Sequence, residues 1–213
     1  MSFIPELSVL IAYTLGVIVI TLTPGPDMTF FISRAINQSV GAGLAAFSGA
    51  LAGIFVHTAL VAFGLAALIV ASPQLFFALK IVGALYLAFL AVQALRNKST
   101  FALNKEAVKQ RSLMTNWMQG LAINLLNPKI ILFFMTFLPQ FISIDDPNAT
   151  GQLFFLGSLF VLIAIPILVP LILVANKFSN WLLNNPKIMR AMDYAFASVF
   201  GAFAIKILLT QRS

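Results

Sequence analysis

Charge is scarce in this chain and cysteine is absent. Its 213 residues hold six Asp and Glu, thirteen Lys and Arg and a single histidine. Without cysteine there is no disulfide, no thiolate metal site and no thiol redox chemistry. One histidine and few acids leave little for a transport site that wants several Cys, His or carboxylate ligands around a borderline metal. The same shortage argues against a membrane hydrolase or transferase, which needs clustered acids, histidines or a base-paired serine. No Gly-x4-Gly-Lys-Ser/Thr loop occurs, so ATP hydrolysis of the usual kind is excluded, and no cofactor is expected. At 9% charged residues, against about 25% in soluble domains, the chain lacks the polar surface to cover a water-soluble sphere.

What is present is apolar. Hydrophobic residues make up 61% of the sequence and the mean hydropathy is +1.00, which places the chain among polytopic membrane proteins. The net charge of +7 is read as loop charge that orients the chain in a bilayer, not as a nucleic-acid surface. The N-terminal stretch has Glu6 as its only charge and no small-x-small pattern before Pro24, so it reads as a retained first span.

The pattern predicts an all-α protein with six transmembrane helices and one transporter domain over residues 1–213. The spans run from about Leu7 to Leu22, Gly41 to Val70, Leu75 to Leu95, Leu113 onward, Leu153 to Val174, and Met192 to Leu209. Ser72-Pro73 reads as a turn, and Lys80 near the entry of the third span as an interfacial side chain. A basic linker, 96–113, separates two halves of about 1–95 and 114–213; it carries Arg96, Lys98, Lys105, Lys109 and Arg111. Arg34 and the group Lys177, Lys187 and Arg190 are placed in the other odd loops, with Trp181 as an interfacial anchor. The positive-inside rule then puts the odd loops in the cytoplasm and both termini outside; Lys206 and Arg212 argue weakly the other way. Asp145-Asp146-Pro147-Asn148 is an acidic outer loop. Gly41, Ala45, Gly49, Gly53 and His57 recur every four residues, so they share a helix face on which another backbone can approach closely. That face serves either packing within the chain or a homodimer. It turns His57 into protein, as a hydrogen-bonded core histidine or as a protonatable relay.

Two stretches interrupt the apolar spans. Thr23-Pro24-Gly25-Pro26-Asp27 breaks the first helix: two prolines lack N–H groups, and Gly25 is free to take angles other residues avoid. Asn127-Pro128-Lys129 breaks the fourth, beside Asn124 on the same face. An apolar run, Ile130 to Leu138, follows. Each half holds three spans with its first helix broken, so the halves are expected to lie inverted; each also carries Phe-Phe after its break and Gly-Ala in its third helix (Gly83-Ala84, Gly201-Ala202). Paired interruptions of this kind point to a transport site near the midplane. Asp27 and Lys129 follow the breaks with opposite charge and are expected to meet each other or a shared substrate.

These residues resemble the LysE/RhtB family of bacterial amino-acid exporters over nearly the whole chain. The resemblance rests on Thr23-Pro24-Gly25-Pro26-Asp27 and Asn124-Leu125-Leu126-Asn127-Pro128-Lys129, supported by Gly49 to His57, Gly83-Ala84-Leu85-Tyr86-Leu87 and Leu138-Pro139-Gln140-Phe141. It implies a multi-pass protein of the bacterial inner membrane that exports small amino acids or derivatives of the threonine, homoserine, homoserine lactone or leucine type, driven by protons. Asp27 stands where many members carry Asn, so a charge-based role there is particular to this chain. The site expected from the residues contains Pro24, Gly25, Pro26, Asp27, Asn124, Asn127, Pro128, Lys129 and Tyr86. Half-helix N-termini after Pro26 and Pro128, with Lys129, suit a carboxylate. Asp27, freed carbonyls and the asparagines suit an ammonium, and Phe30, Tyr86 and Phe134 an apolar wall. Asp27 or His57 is placed to carry the coupling proton, and Pro166 and Pro170 to hinge the fifth span. Export of a divalent metal or another small solute is the alternative function.

Overall fold

The computed structural model describes residues 5–71, 73–96, 110–142 and 146–210. Most of the basic linker, Ser72, Asp145 and Arg212 lie outside these residues, as do the side chains of Lys80, Gly83 and Lys206.

The described residues are helical throughout, joined by short turns. Helix α1, Leu7–Leu22, stops at the first proline pair, and α2, Pro26–Asn37, starts with Pro26 at its first position, where a missing N–H costs nothing. Helices α3, Val40–Ala71, and α4, Pro73–Arg96, follow. Helix α5, Leu113–Leu126, is capped by the Ser112 side chain, which accepts from the Thr115 N–H. It stops at Asn127, and a short α6, Pro128–Leu132, leads into a π-helical turn, Phe133–Phe137, and a 3-10 turn, Leu138–Phe141. Helices α7, Ala149–Leu173, α8, Ala175–Leu183, and α9, Pro186–Thr210, complete the chain.

Three stretches within α3, α7 and α9 are long and apolar enough to cross a membrane. So are the bent pairs α1 with α2 and α5 with the segment from Pro128 to Phe141. Helix α4, at 24 residues, has the length of a further span. The bends are 51° and 53°, so the two interruptions are matched in shape as well as in place along the chain.

Several expectations change. Arg34 is not a loop charge. It sits on α2, buried, donating to Gln119 at 3.2 Å and lying over the Phe30 ring at 5.1 Å, because α2 continues to Asn37. The basic segment after the fifth span is likewise helical: Lys177 is on α8, and Lys187 and Arg190 are on α9, which begins at Pro186 rather than Met192. Arg190 donates to the last carbonyls of α4, those of Ala94 and Leu95, and pairs with the buried Asp193 at 3.7 Å. The prolines of α7 do not interrupt it.

The plain apolar run expected after the second break contains the π-helical turn. Thr136 donates its hydroxyl to the Leu132 carbonyl at 2.7 Å, which occupies an acceptor that the wider turn displaces. The turn carries Phe133, Phe134 and Phe137 into a buried aromatic group with Tyr13, Phe160 and Phe200. Tyr13 ends in a 2.8 Å hydrogen bond to the Leu156 carbonyl, so this apolar cluster leaves no buried hydroxyl bare.

Glycine sets the main helix crossing. A Cβ on Gly49 would fall on the Trp117 backbone, and one on Gly120 on the Ala46 carbonyl. A Cβ on Gly53 would overlap the Asn124 side chain. The small-residue face of α3 is therefore used within the chain at Gly49 and Gly53, against α5.

Neither backbone at this crossing can step aside alone. Gly49→Ala and Gly120→Ala should each exceed the about 1–3 kcal/mol of ordinary overpacking and lose most monodisperse protein on detergent extraction. Gly64→Ala, where nothing lies within 4 Å of the added carbon, should extract like the parent. Equal yields for all three would show that the crossing is looser than described.

Candidate functional site

Proline removes the N–H that would reach the carbonyl four residues earlier. Pro24 thus frees the Ile20 carbonyl, and Pro128 removes the regular donor of the Asn124 carbonyl, which keeps the Asn127 N–H at 3.1 Å. In an apolar slab neither can be left bare without cost. The Lys129 ammonium, from the second break, donates to Ile20 O and Thr23 O, both at 2.8 Å. His57, from the first half, places Nε2 3.3 Å from Asn124 O. A carbonyl only accepts, so Nε2 carries the proton there. The second half supplies the donors for the carbonyls freed at the first break, and the first half adds a second donor, His57, to the Asn124 carbonyl at the second.

Gly25 fits this clasp differently from expectation. Its φ of −160° and ψ of −178° are extended backbone open to any residue, and the described glycines include none at positive φ. What the missing side chain provides is space: a Cβ would stand 3.3 Å from Lys129 Nζ and 3.7 Å from Cε. A side chain there would press on the end of the lysine and shift it by a few tenths of an ångström.

The second break is closed by its own asparagine. Asn127 Oδ1 accepts from the Lys129 N–H at 3.0 Å, and the Ile130 and Ile131 N–H groups bond to the Asn127 carbonyl. The short α6 therefore offers no free N-terminus to a carboxylate, contrary to expectation. Asn124 Nδ2 donates to Asp27 Oδ2 at 2.9 Å, so one residue joins His57, through its carbonyl, to Asp27, through its amide. Asn127 and Lys129 are further polar neighbours of the carboxylate.

Between the breaks lies a cavity of about 50 Å³, room for a few waters. Gly25, Asp27, Asn124 and Lys129 line it, with Thr21 and Thr23. Asp27 and Lys129 thus face one space, as expected of a shared site, but among the described residues they form no ion pair, because two carbonyls hold the ammonium. The walls are apolar stripes of α3 (Phe47, Ala50, Leu51, Ile54) and α7 (Phe160, Ala164, Leu168), closed by Phe31. Among the described residues, Thr21 Oγ1, Asp27 Oδ1 and Asn124 Oδ1 are buried and make no hydrogen bond. Such groups are uncommon in a finished interior, and these three belong to residues that line the cavity.

Other expected site residues act at a distance or elsewhere. Pro24, Pro26 and Pro128 do not line the cavity and contribute through the backbone they shape. Tyr86 is half-buried on α4 beside Phe89, 5.7 Å between ring centres, and is not at the cavity. Phe134 stacks on His57 at 5.7 Å instead of facing the space, and Phe30 pairs with Arg34. The sequence reading missed the true walls. Their signal was there, in the spacing of 47, 50, 51 and 54 and of 160, 164 and 168, each a single helix face.

The family model of the LysE type translocators matches residues 18–211. The chain belongs to this family. A homoserine/homoserine lactone efflux protein of Salmonella typhimurium is 30% identical over 189 residues, covering 89% of this chain and 90% of that protein. The membrane protein YrhP of Bacillus subtilis is 29% identical over 205 residues, 92% of this chain and 97% of its own length. A Pseudomonas aeruginosa membrane protein is 30% identical over 199 residues, 92% of each. No solved structure matches the chain. The chain is thus a membrane translocator, and both proline breaks fall inside the matched region.

Histidine as a cap has a direct test. His57→Gln keeps an N–H donor for the Asn124 carbonyl and should unfold within a few degrees of the parent. His57→Leu takes away one of the two donors to that carbonyl, a loss of about 0.5–1.5 kcal/mol, and should unfold measurably earlier in a detergent thermal melt. Equal loss in both variants would remove the capping role.

Proposed function

We propose that this translocator exports small zwitterionic amino acids or close derivatives from the cytoplasm across the bacterial inner membrane, by exchange for protons. The observation that carries this reading is the set of unpaired polar atoms around the cavity. Asp27 Oδ1, Asn124 Oδ1 and Thr21 Oγ1 are acceptors without donors, suited to an ammonium. Lys129 uses two of its three N–H groups on carbonyls, leaving the third for a carboxylate. The first-turn N–H groups of α2, which no intrahelical carbonyl satisfies, add partial positive charge on the same side. The apolar stripes of α3 and α7 receive an aliphatic side chain.

In this reading Asp27 carries the coupling proton. Protonation on the outer side cancels the charge that holds the ammonium and releases the substrate; loss of the proton to the cytoplasm restores it. His57, held to a carbonyl, serves as a cap. The two broken helices and the walls that follow them, α3 and α7, form two inverted sets whose rocking alternates access. Basic residues on the odd connections give an orientation with both termini outside. The efflux name of the Salmonella relative and the shared family favour homoserine-like solutes.

Asp27→Asn keeps shape and hydrogen bonding but holds neither charge nor proton. A charged hydrogen bond is worth about 1.5–3 kcal/mol, so substrate affinity should fall by roughly 10- to 100-fold. Radiolabelled efflux from loaded cells, across homoserine, threonine and leucine with and without an uncoupler, should drop to the uncoupled level at unchanged membrane abundance. Efflux that stays uncoupler-sensitive in this variant would remove Asp27 from proton exchange.

A further inference from the structure

The lysine that clasps the first break occupies a built site of its own. Two backbone carbonyls, Ile20 O and Thr23 O, converge on Lys129 Nζ at equal distances of 2.8 Å. The stem reaches them past Gly25, where a Cβ would lie 3.3 Å from Nζ and 3.7 Å from Cε. The Asp27 carboxylate lies within electrostatic reach of the ammonium and faces the same cavity. Thr21, whose hydroxyl makes no hydrogen bond among the described residues, stands between the two accepting carbonyls in sequence and lines that cavity too.

In broken-helix transporters generally, carbonyls at an unwound helix end coordinate a free cation. We propose that the end of α1 is a primary-ammonium site whose resident cation is the chain's own Lys129. The arrangement has the parts such a site needs: carbonyl dipoles at the negative end of a helix, a nearby carboxylate for charge balance, and a channel shaped to an unbranched alkyl stem. Tethering makes the cation permanent, so no coupling ion from solution is drawn to this position. Lys129 is then a positioning residue for the first break, and its ammonium keeps the Thr23-to-Asp27 backbone in the bent form that presents Asp27 to the cavity. The carbonyl pair that holds Lys129 is not among the groups given to the substrate ammonium, although Asp27 borders both, and the test uses no transport substrate.

Lys129→Ala removes the stem and the charge and opens a groove that propylammonium refills. Purified protein is melted in choline, methylammonium or propylammonium chloride at equal ionic strength. The parent should unfold at one temperature in all three. Lys129→Ala should unfold earlier in choline and recover by a few degrees, saturably, in propylammonium and less in methylammonium, as binding to the folded state alone requires. Lys129→Met, whose side chain fills the groove without charge, should be destabilised and show no recovery. Adding Asp27→Asn to Lys129→Ala should weaken the recovery. Lys129→Met as stable as the parent would overturn the proposal. So would Lys129→Ala that gains nothing from either ammonium, including a variant that stays unfolded in every salt. A parent stabilised equally by the ammoniums would also overturn it, by showing that these cations act elsewhere.

Discussion

A carbonyl that loses its N–H partner inside a bilayer must find another, and this single demand organises the molecule. The prolines at 24 and 128 each strip one carbonyl of its helical donor. Donors then come from across the chain: Lys129 to Ile20 and Thr23, and His57 to Asn124, which the Asn127 N–H also serves. Helix α1 is thereby tied to α6, and α5 to α3. Lys129 and Asn124 both line the polar cavity, and the glycine crossing of α3 with α5 is what brings His57 and Asn124 into register. Packing and polar satisfaction are the same event at this point, since Gly53 is missing a side chain where Asn124 needs room.

Much of this was legible in the sequence. Composition alone named the class, because an apolar chain with so few charges has one available solvent. The two proline breaks, their matching places and the residues flanking them were visible as violations of helix chemistry. Burial of His57 followed from a four-residue spacing. The family resemblance at the same motifs agrees with the matched family.

The misses share a cause. Sequence periodicity reports which face of a helix is apolar, not which atom meets which. Asp27 and Lys129 do face one space, as one of the two expected arrangements has it, but the ammonium is held by carbonyls that the sequence shows only as an absence of N–H groups. Gly25 looked like a backbone device and proved to leave room for the end of a lysine. Phe30, Tyr86 and Phe134 were expected as the apolar wall, while the walls fell to unremarkable apolar residues on α3 and α7. The π-helical turn had no signal, because a run of Ile, Leu and Phe suits several helical pitches equally. Arg34 was assigned to a loop because charge is a good marker of membrane boundaries on average and a poor one for a residue with a glutamine and an aromatic ring to hold it.

The walls of the cavity have a bearing on discrimination between solutes. Phe31, Phe47, Leu51, Ile54, Phe160 and Leu168 offer no side-chain hydrogen-bonding group to the part of a guest that lies against them. An apolar surface separates molecules by volume, at about 1–3 kcal/mol per methylene, and rejects an added hydroxyl only weakly. The polar end of the cavity is common to any zwitterion. Under the export function proposed above, a chamber built this way sorts its solutes by size and backbone chemistry more than by side-chain identity.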